Sequence, residues 1–171
     1  MNGLVIQQQE VFAGNYAARA TSTGSAVFAY KQLSTGQTEL YYRVRFKIIS
    51  QATNTLRLLR FQTTTGSSIL GLYVNKGGKI GYTNYVASTN TNSTTVVSRG
   101  VWHEAQVRVL INGTVSQVEV WLDGIRIDSL SRTDSLGTTV IGRILLGDSS
   151  TGRAYDVAFD DVAVSTSFIA P

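Results

Sequence analysis

Cysteine is absent from the sequence, proline occurs only once, and charged residues make up 15% of its 171 residues. Without cysteine the chain forms neither disulfides nor thiolate metal sites, and it has no cysteine nucleophile. The single histidine, His103, excludes metal sites that need several histidines. No apolar run is long enough to cross a bilayer, so the sequence predicts no membrane span.

The remaining composition is that of one globular domain covering residues 1–171. Hydrophobic residues make up 43% of the chain, which is enough for a sizeable core. The net charge of +4 comes from Lys and Arg residues spread along the chain. Nucleic-acid binding needs a concentrated basic face and is therefore not predicted. This distribution is consistent with a mild attraction to acidic glycans or anionic surfaces. It is also consistent with a charge that serves only solubility.

No signal-peptide pattern occurs at the beginning of the sequence. The chain ends soon after a strand-like segment, which predicts a domain taken from a longer protein, so this absence carries no conclusion about targeting.

Apolar and polar residues alternate with a period of two, most clearly in residues 40–48 and 103–111, and this pattern predicts strands with one buried face. Asn112-Gly113 and Asp123-Gly124 predict tight hairpin turns. A Ser/Thr/Asn-rich loop is expected from residue 87 to residue 95, lying over the surface beside a groove. The many short strands predict an all-β, two-sheet antiparallel jelly-roll sandwich. They are placed near 4–9, 16–21, 25–32, 39–49, 56–64, 67–75, 79–85, 94–98, 103–111, 115–122, 125–131, 139–146 and 154–165.

Segments spread over the whole chain resemble motifs of the concanavalin A-like, LamG-type jelly-roll superfamily. They are residues 14–19 (GNYAAR), the pair 100–107 (GVWHEAQV) and 118–124 (VEVWLDG), and residues 159–164 (FDDVAV). As an ordered set they imply this fold. They imply much less about function, because the fold carries lectins, hydrolases, lyases and adhesion modules.

In the last strand, apolar residues occupy odd-numbered positions at 157 and 159 but even-numbered positions at 162 and 164. The alternation therefore changes phase between these two pairs. A β-bulge at Asp160-Asp161 would keep all four apolar side chains in the core and re-aim one carboxylate. Hard oxygen ligands gathered in this way suit calcium. The resemblance implies a structural calcium ion with Asp161 as a ligand and with Glu10 and Asn15 as weaker candidates. The alternative is an aspartate that only accepts backbone hydrogen bonds beside the bulge.

Catalytic machinery is not apparent. Retaining hydrolases of this fold resemble one another in a strand that holds two glutamates about 5 Å apart, and no two glutamates here are close enough in sequence to form it. Lyases of this fold need a base and an Arg or Gln that neutralises the substrate carboxylate. A lone histidine beside a strand start, such as His103, is more typical of a hydrogen-bonded surface residue.

A glycan-binding face needs aromatic rings and planar hydrogen-bonding groups on a rigid sheet. Outward positions of the alternation supply Arg43, Arg45, Arg108 and Trp121, and Tyr82 lies on the central hairpin. Trp121 is the sharpest candidate, because an outward tryptophan is costly unless it packs or binds. The alternatives are a solvated face for the arginines and packing under a loop for Trp121.

These observations favour a non-catalytic carbohydrate-binding module of an extracellular protein, with a polysaccharide as partner. The extracellular location follows from the resemblance alone. The first alternative is an adhesion or structural module that binds a protein or a surface. The second is a polysaccharide lyase or glycoside hydrolase with unrecognised catalytic residues.

Overall fold

The computed structural model describes residues 3–170, which form fourteen β-strands and one short 3-10 helix, Asp128–Leu130. Pro171 lies outside the described residues. No helix in the described part is long and apolar enough to cross a membrane. The strands are β1 (Val5–Gln7), β2 (Ala17–Thr23), β3 (Val27–Gln37), β4 (Glu39–Gln51), β5 (Leu56–Gln62), β6 (Ser68–Val74), β7 (Lys79–Asn84), β8 (Thr89–Val96), β9 (Trp102–Leu110), β10 (Ser116–Leu122), β11 (Ile125–Arg126), β12 (Arg132–Asp134), β13 (Ile141–Asp148) and β14 (Ala154–Ser165).

The strands form two antiparallel sheets packed face to face. The first, sheet I, has eight strands in the order β1-β2-β14-β4-β9-β10-β11, with β12 paired to β10. The second, sheet II, has six strands in the order β3-β13-β5-β6-β7-β8. The predicted two-sheet antiparallel sandwich is confirmed. Several pairings join strands that are distant in the chain, as in β14 with β2 and β4.

The core lies between the inner faces of the two sheets, where the period-two alternation places it. In β4 the even-numbered residues from Leu40 to Ile48 are buried, and the odd-numbered ones face outward. Tyr42 of sheet I meets Phe61 of sheet II edge to face, with ring centroids 5.8 Å apart. The predicted turn at Asp123-Gly124 is also present, with φ of 52° and 77° at these two residues.

Three segments differ from the sequence-based expectation. The strand predicted near 125–131 is limited to β11, and the 3-10 helix follows it. Residues 89–95 of the predicted polar loop belong to β8, the edge strand of sheet II, which the strand predicted near 94–98 overlaps only at its end. Ser, Thr and Asn suit this position because one edge of the strand faces water.

The bulge in β14 is confirmed by a register shift between Asp160 and Ala163 and by a φ of 50° at Asp161. The predicted burial of Val162 and Val164 is wrong, because they are 43% and 39% exposed. Val164 shares a face with core residue Tyr42, its partner on β4. Sheet II does not cover it, so it lines an open cleft of about 550 Å³ between β3 and β14.

Candidate functional site

The outer face of sheet I holds most of the predicted binding residues, and its basic side chains are paired with carboxylates. Arg45 lies 2.9 Å from Glu104 and 3.3 Å from Asp161, and Arg43 lies 4.0 Å from each. A second group is centred on Arg108, whose side chain bonds the carboxylates on both neighbouring strands, Glu39 at 2.6 Å and Glu119 at 2.8 Å.

Trp121 faces outward as predicted, but it packs beneath the C-terminal segment, defined here as residues 166–170. Its ring meets that of Phe168 edge to face at 5.4 Å, and Tyr41 lies beside both. Gln106 anchors the segment by accepting from the backbone N–H of Ile169 and donating to its carbonyl, at 3.0 and 3.2 Å. Trp121 is therefore largely occupied by the chain itself.

The N-terminal loop covers another part of the same face. Phe12 lies over the Arg45 guanidinium at 4.1 Å and meets Trp102 edge to face at 5.8 Å. The Asp160 carboxylate holds this loop, since it accepts hydrogen bonds from the backbone N–H groups of Phe12 and Ala13. It also accepts from the N–H of Asp161 at 2.8 Å. Asp160 therefore accepts backbone hydrogen bonds beside the bulge, which is the role that the sequence offers as the alternative to calcium binding for an aspartate there.

The proposed calcium ligands lie near this bulge, and two of them contact cationic side chains. Asp161 lies beside Arg45, as described above, and the Glu10 carboxylate accepts from Lys47 at 2.7 Å. Asn15 is exposed. Residues 3–170 contain no group of three or more His, Cys, Asp or Glu side chains placed to hold a metal ion. Calcium at Asp161 stays a prediction.

Tyr82 and His103 both have side chains that are held by hydrogen bonds within the protein. The Tyr82 side chain is fully buried between the sheets and donates to Asp134 at 2.9 Å, so it does not reach either outer face, contrary to the prediction. Burial raises the pKa of its hydroxyl to about 12. His103 Nε2 accepts from the backbone N–H of Ser98, which leaves Nδ1 to donate to Asp123 at 2.7 Å. Both ring nitrogens are thus engaged.

The outer face of sheet II has a different character, with planar and aromatic groups around a cleft of about 220 Å³. Cross-strand pairing places Arg57 opposite Tyr73, and Tyr73 opposite Gly81. The Tyr73 hydroxyl donates to Asn92 on the edge strand at 3.0 Å. The cleft is lined by Thr55, Arg57, Tyr73, Asn75, Thr83, Asn90, Asn92 and Arg153. A wider depression adjoins it through the shared residues Thr55 and Asn75.

Two glycines make room for the tyrosine rings on this face. A Cβ at Gly81 would lie 2.9 Å from the Tyr73 ring and 2.6 Å from the Thr91 carbonyl oxygen. A Cβ at Gly71 would lie 3.2 Å from the ring of Tyr85. The rings therefore occupy space above the neighbouring strands that a larger residue would fill. Tyr73 is only 4% exposed, so Tyr85 is the more accessible of the two rings.

Three arginines of this face have no acidic partner among the described residues. Within residues 3–170, no carboxylate lies within 4.0 Å of Arg57, Arg60 or Arg143. The only acid in a strand of sheet II is Asp148, which is fully buried and pairs with Arg153 at 2.9 Å. This face is thus basic, whereas the outer face of sheet I is internally neutralised.

Known structures match almost the whole chain. The cellulose-induced protein Cip1 matches 98% of this chain and 87% of its own length, at 14% identity and a TM-score of 0.76. An endo-β-1,4-glucuronan lyase from the fungus Trichoderma reesei matches 96% and 87%, at 13% identity and a TM-score of 0.71. The alginate lyase Aly36B matches 89% and 81%, at 9% identity and a TM-score of 0.64.

The chain has a concanavalin A-like jelly-roll fold. No protein-family model matches the sequence, and no curated protein matches it. The concanavalin A-like fold is shared here with carbohydrate-active proteins, at identities that show the fold alone.

One sequence signal for the basic face was missed. No Asp or Glu occurs between Glu39 and Glu104, a stretch that contains β5 to β8 of this jelly roll. Arginines within an acid-free stretch can be neutralised only by acids from distant segments. Arg43 and Arg45 obtain such partners on sheet I, whereas Arg57 and Arg60 do not.

Proposed function

We propose that this domain binds a polysaccharide on the outer face of sheet II. The observation that carries the proposal is the cleft beside Arg57, Tyr73 and the edge-strand amides of Asn90 and Asn92. Sugar hydroxyls are bound by planar groups that donate and accept hydrogen bonds, and this cleft offers such groups on a rigid sheet. Trp121, on the outer face of sheet I, is covered by the C-terminal segment, and this favours sheet II as the site.

The names of the structural neighbours support a polysaccharide as the ligand class. Cip1 is described as cellulose-induced, and the two other neighbours act on glucuronan and alginate. We propose a binding role without catalysis, as a module of an extracellular protein. The extracellular location is inferred from the resemblance alone.

Binding to a panel of neutral and acidic polysaccharides tests the proposal. We expect the double change Asn90→Ala and Asn92→Ala to weaken binding by about tenfold, because it removes two amides from the rim of the cleft. The matched control is Gln117→Ala, which removes an amide from the other outer face and should leave binding unchanged. Absence of binding to every polymer, or equal loss in the control, would contradict the proposal.

The lyases among the neighbours favour one alternative function, polysaccharide cleavage by β-elimination. Incubation of the protein with glucuronan and with alginate, followed by ultraviolet absorbance, detects the unsaturated sugar that this reaction forms. Accumulation of such products would replace the binding role by a catalytic one at the same face.

A further inference from the structure

Three side chains on the outer face of sheet II keep polar atoms that no group in the described chain satisfies. The Nε atoms of Arg57 and Arg60 and the hydroxyl of Tyr85 are buried without a hydrogen-bond partner. Buried polar groups of this kind are rare in folded proteins, and each needs an explanation. Similar atoms occur on sheet I at Arg45 and Glu104, but those two side chains form an ion pair, whereas no carboxylate of residues 3–170 lies within 4.0 Å of Arg57 or Arg60.

The same cluster carries uncompensated positive charge. Arg60 is only 8% exposed, and burial lowers the pKa of its guanidinium. Buried charges in proteins are usually paired, since an unpaired one is costly to remove from water. Asp148, the acid of sheet II, is already bonded to Arg153. Asp148 also accepts from the backbone N–H of Arg57 at 3.1 Å, but within residues 3–170 no carboxylate forms an ion pair with the side chain of Arg57 or Arg60.

Neighbouring side chains hold the two guanidiniums in place without neutralising them. Both lie against the Tyr85 ring, with Cζ atoms 5.3 and 4.9 Å from its centroid. Arg57 donates to the hydroxyl of Thr83 at 3.3 Å, and Arg60 to that of Ser68 at 3.1 Å. Each arginine has five N–H donors, so most of its capacity remains. The two guanidinium groups are therefore held by neutral groups.

We propose that Arg57, Arg60 and Tyr85 form a subsite for an anionic group on the bound sugar, a carboxylate or a sulfate ester. This inference rests on the proposed polysaccharide binding and names the charge class of the ligand. Arg57 lines the cleft and contacts the anion, and Arg60 adds a second positive charge from beneath the face. The exposed amides of Asn90 and Asn92 then contact the rest of the sugar.

Paired polymers that differ only in charge test the subsite. Calorimetric titration compares alginate with carboxyl-reduced alginate, and dextran sulfate with dextran. We expect the wild type to prefer the charged member of at least one pair, and Arg57→Gln to weaken that binding by about tenfold or more. Selectivity for alginate assigns the anion as a carboxylate, and selectivity for dextran sulfate assigns it as a sulfate.

One further variant and a control separate this role from a general charge effect. Tyr85→Phe removes a hydroxyl that has no partner in the protein, so it should weaken binding to the charged polymer without lowering the melting temperature. Arg126→Gln removes the same charge as Arg57→Gln, but from the other face, and should change affinity less than about twofold.

Equal loss in Arg57→Gln and Arg126→Gln, or equal binding of the charged and neutral polymers, would overturn the anionic subsite and leave polysaccharide binding intact. Absence of binding to all four polymers would overturn both.

Discussion

The contact between Trp121 and the C-terminal segment predicts that this tryptophan stabilises the fold rather than a complex. Replacing a fully buried Trp or Phe by Ala costs roughly 3–5 kcal/mol. Trp121 is half-buried, so we expect Trp121→Ala to lower the free energy of unfolding by about 2 kcal/mol. That loss corresponds to a melting temperature about 4–8 °C lower in a chain of this size. Phe168 is 49% exposed, and Phe168→Ala should cost about 1 kcal/mol.

A double-mutant cycle measures whether the two rings interact. Aromatic pairs contribute about 0.5–1.5 kcal/mol beyond the area they bury, so the double variant should lose about 1 kcal/mol less than the sum of the single losses. Urea unfolding of all four proteins provides the comparison. Tyr16→Ala is the matched control, since Tyr16 is 60% exposed. Additive losses would refute the packing argument, and loss of polysaccharide binding in Trp121→Ala at full stability would place Trp121 in the binding site instead.

Three further predictions concern residues outside the proposed binding face. Tyr82→Phe should cost about 1–2 kcal/mol in urea unfolding, because Asp134 loses a buried hydrogen bond, and should leave polysaccharide affinity unchanged. The hydrogen bond from Arg19 lowers the pKa of Asp156 below its ordinary value of 3.8, so this pair stabilises the fold above about pH 4 and loses its effect as the pH falls through the folded-state pKa. Asp156→Asn should therefore destabilise the protein at neutral pH and reduce the part of its acid destabilisation that begins below about pH 4, as urea unfolding at several pH values will measure. For calcium, a melting temperature that rises with added calcium and no longer does so in Asp161→Ala would support the predicted site, and an unchanged melt in both proteins would contradict it.

The sandwich could be predicted from the sequence because its signal is local. In β4 and β9 each residue's side of the sheet follows from period-two alternation, and Asp123-Gly124 has turn chemistry that requires no partner. The first part of edge strand β8 was predicted as a loop because its Ser, Thr and Asn residues have the composition of a loop. Edge position is a property of the whole sheet, and no local pattern encodes it.

The site could be predicted only in part, because alternation tells which side chains point outward but not what covers them. Trp121 and Arg43 do point outward. They are covered or neutralised by groups remote in sequence, such as Phe168 and Glu104. The basic character of sheet II depends in the same way on the absence of distant acids near Arg57. The one local sign of this basic character in the sequence is the acid-free stretch of residues 40–103.

The unequal distribution of charge between the two outer faces gives the domain an electric dipole moment across its thickness. On sheet I acidic side chains such as Glu39, Glu119 and Asp161 balance the arginines beside them, whereas Arg57 and Arg143 of sheet II have no carboxylate within 4.0 Å among the described residues. In the field of a polyanionic surface, such a dipole experiences a torque that turns sheet II toward the surface before contact. Ions screen this field over about 8 Å at physiological salt, so the orienting effect acts only during the last part of the approach and weakens as ionic strength rises.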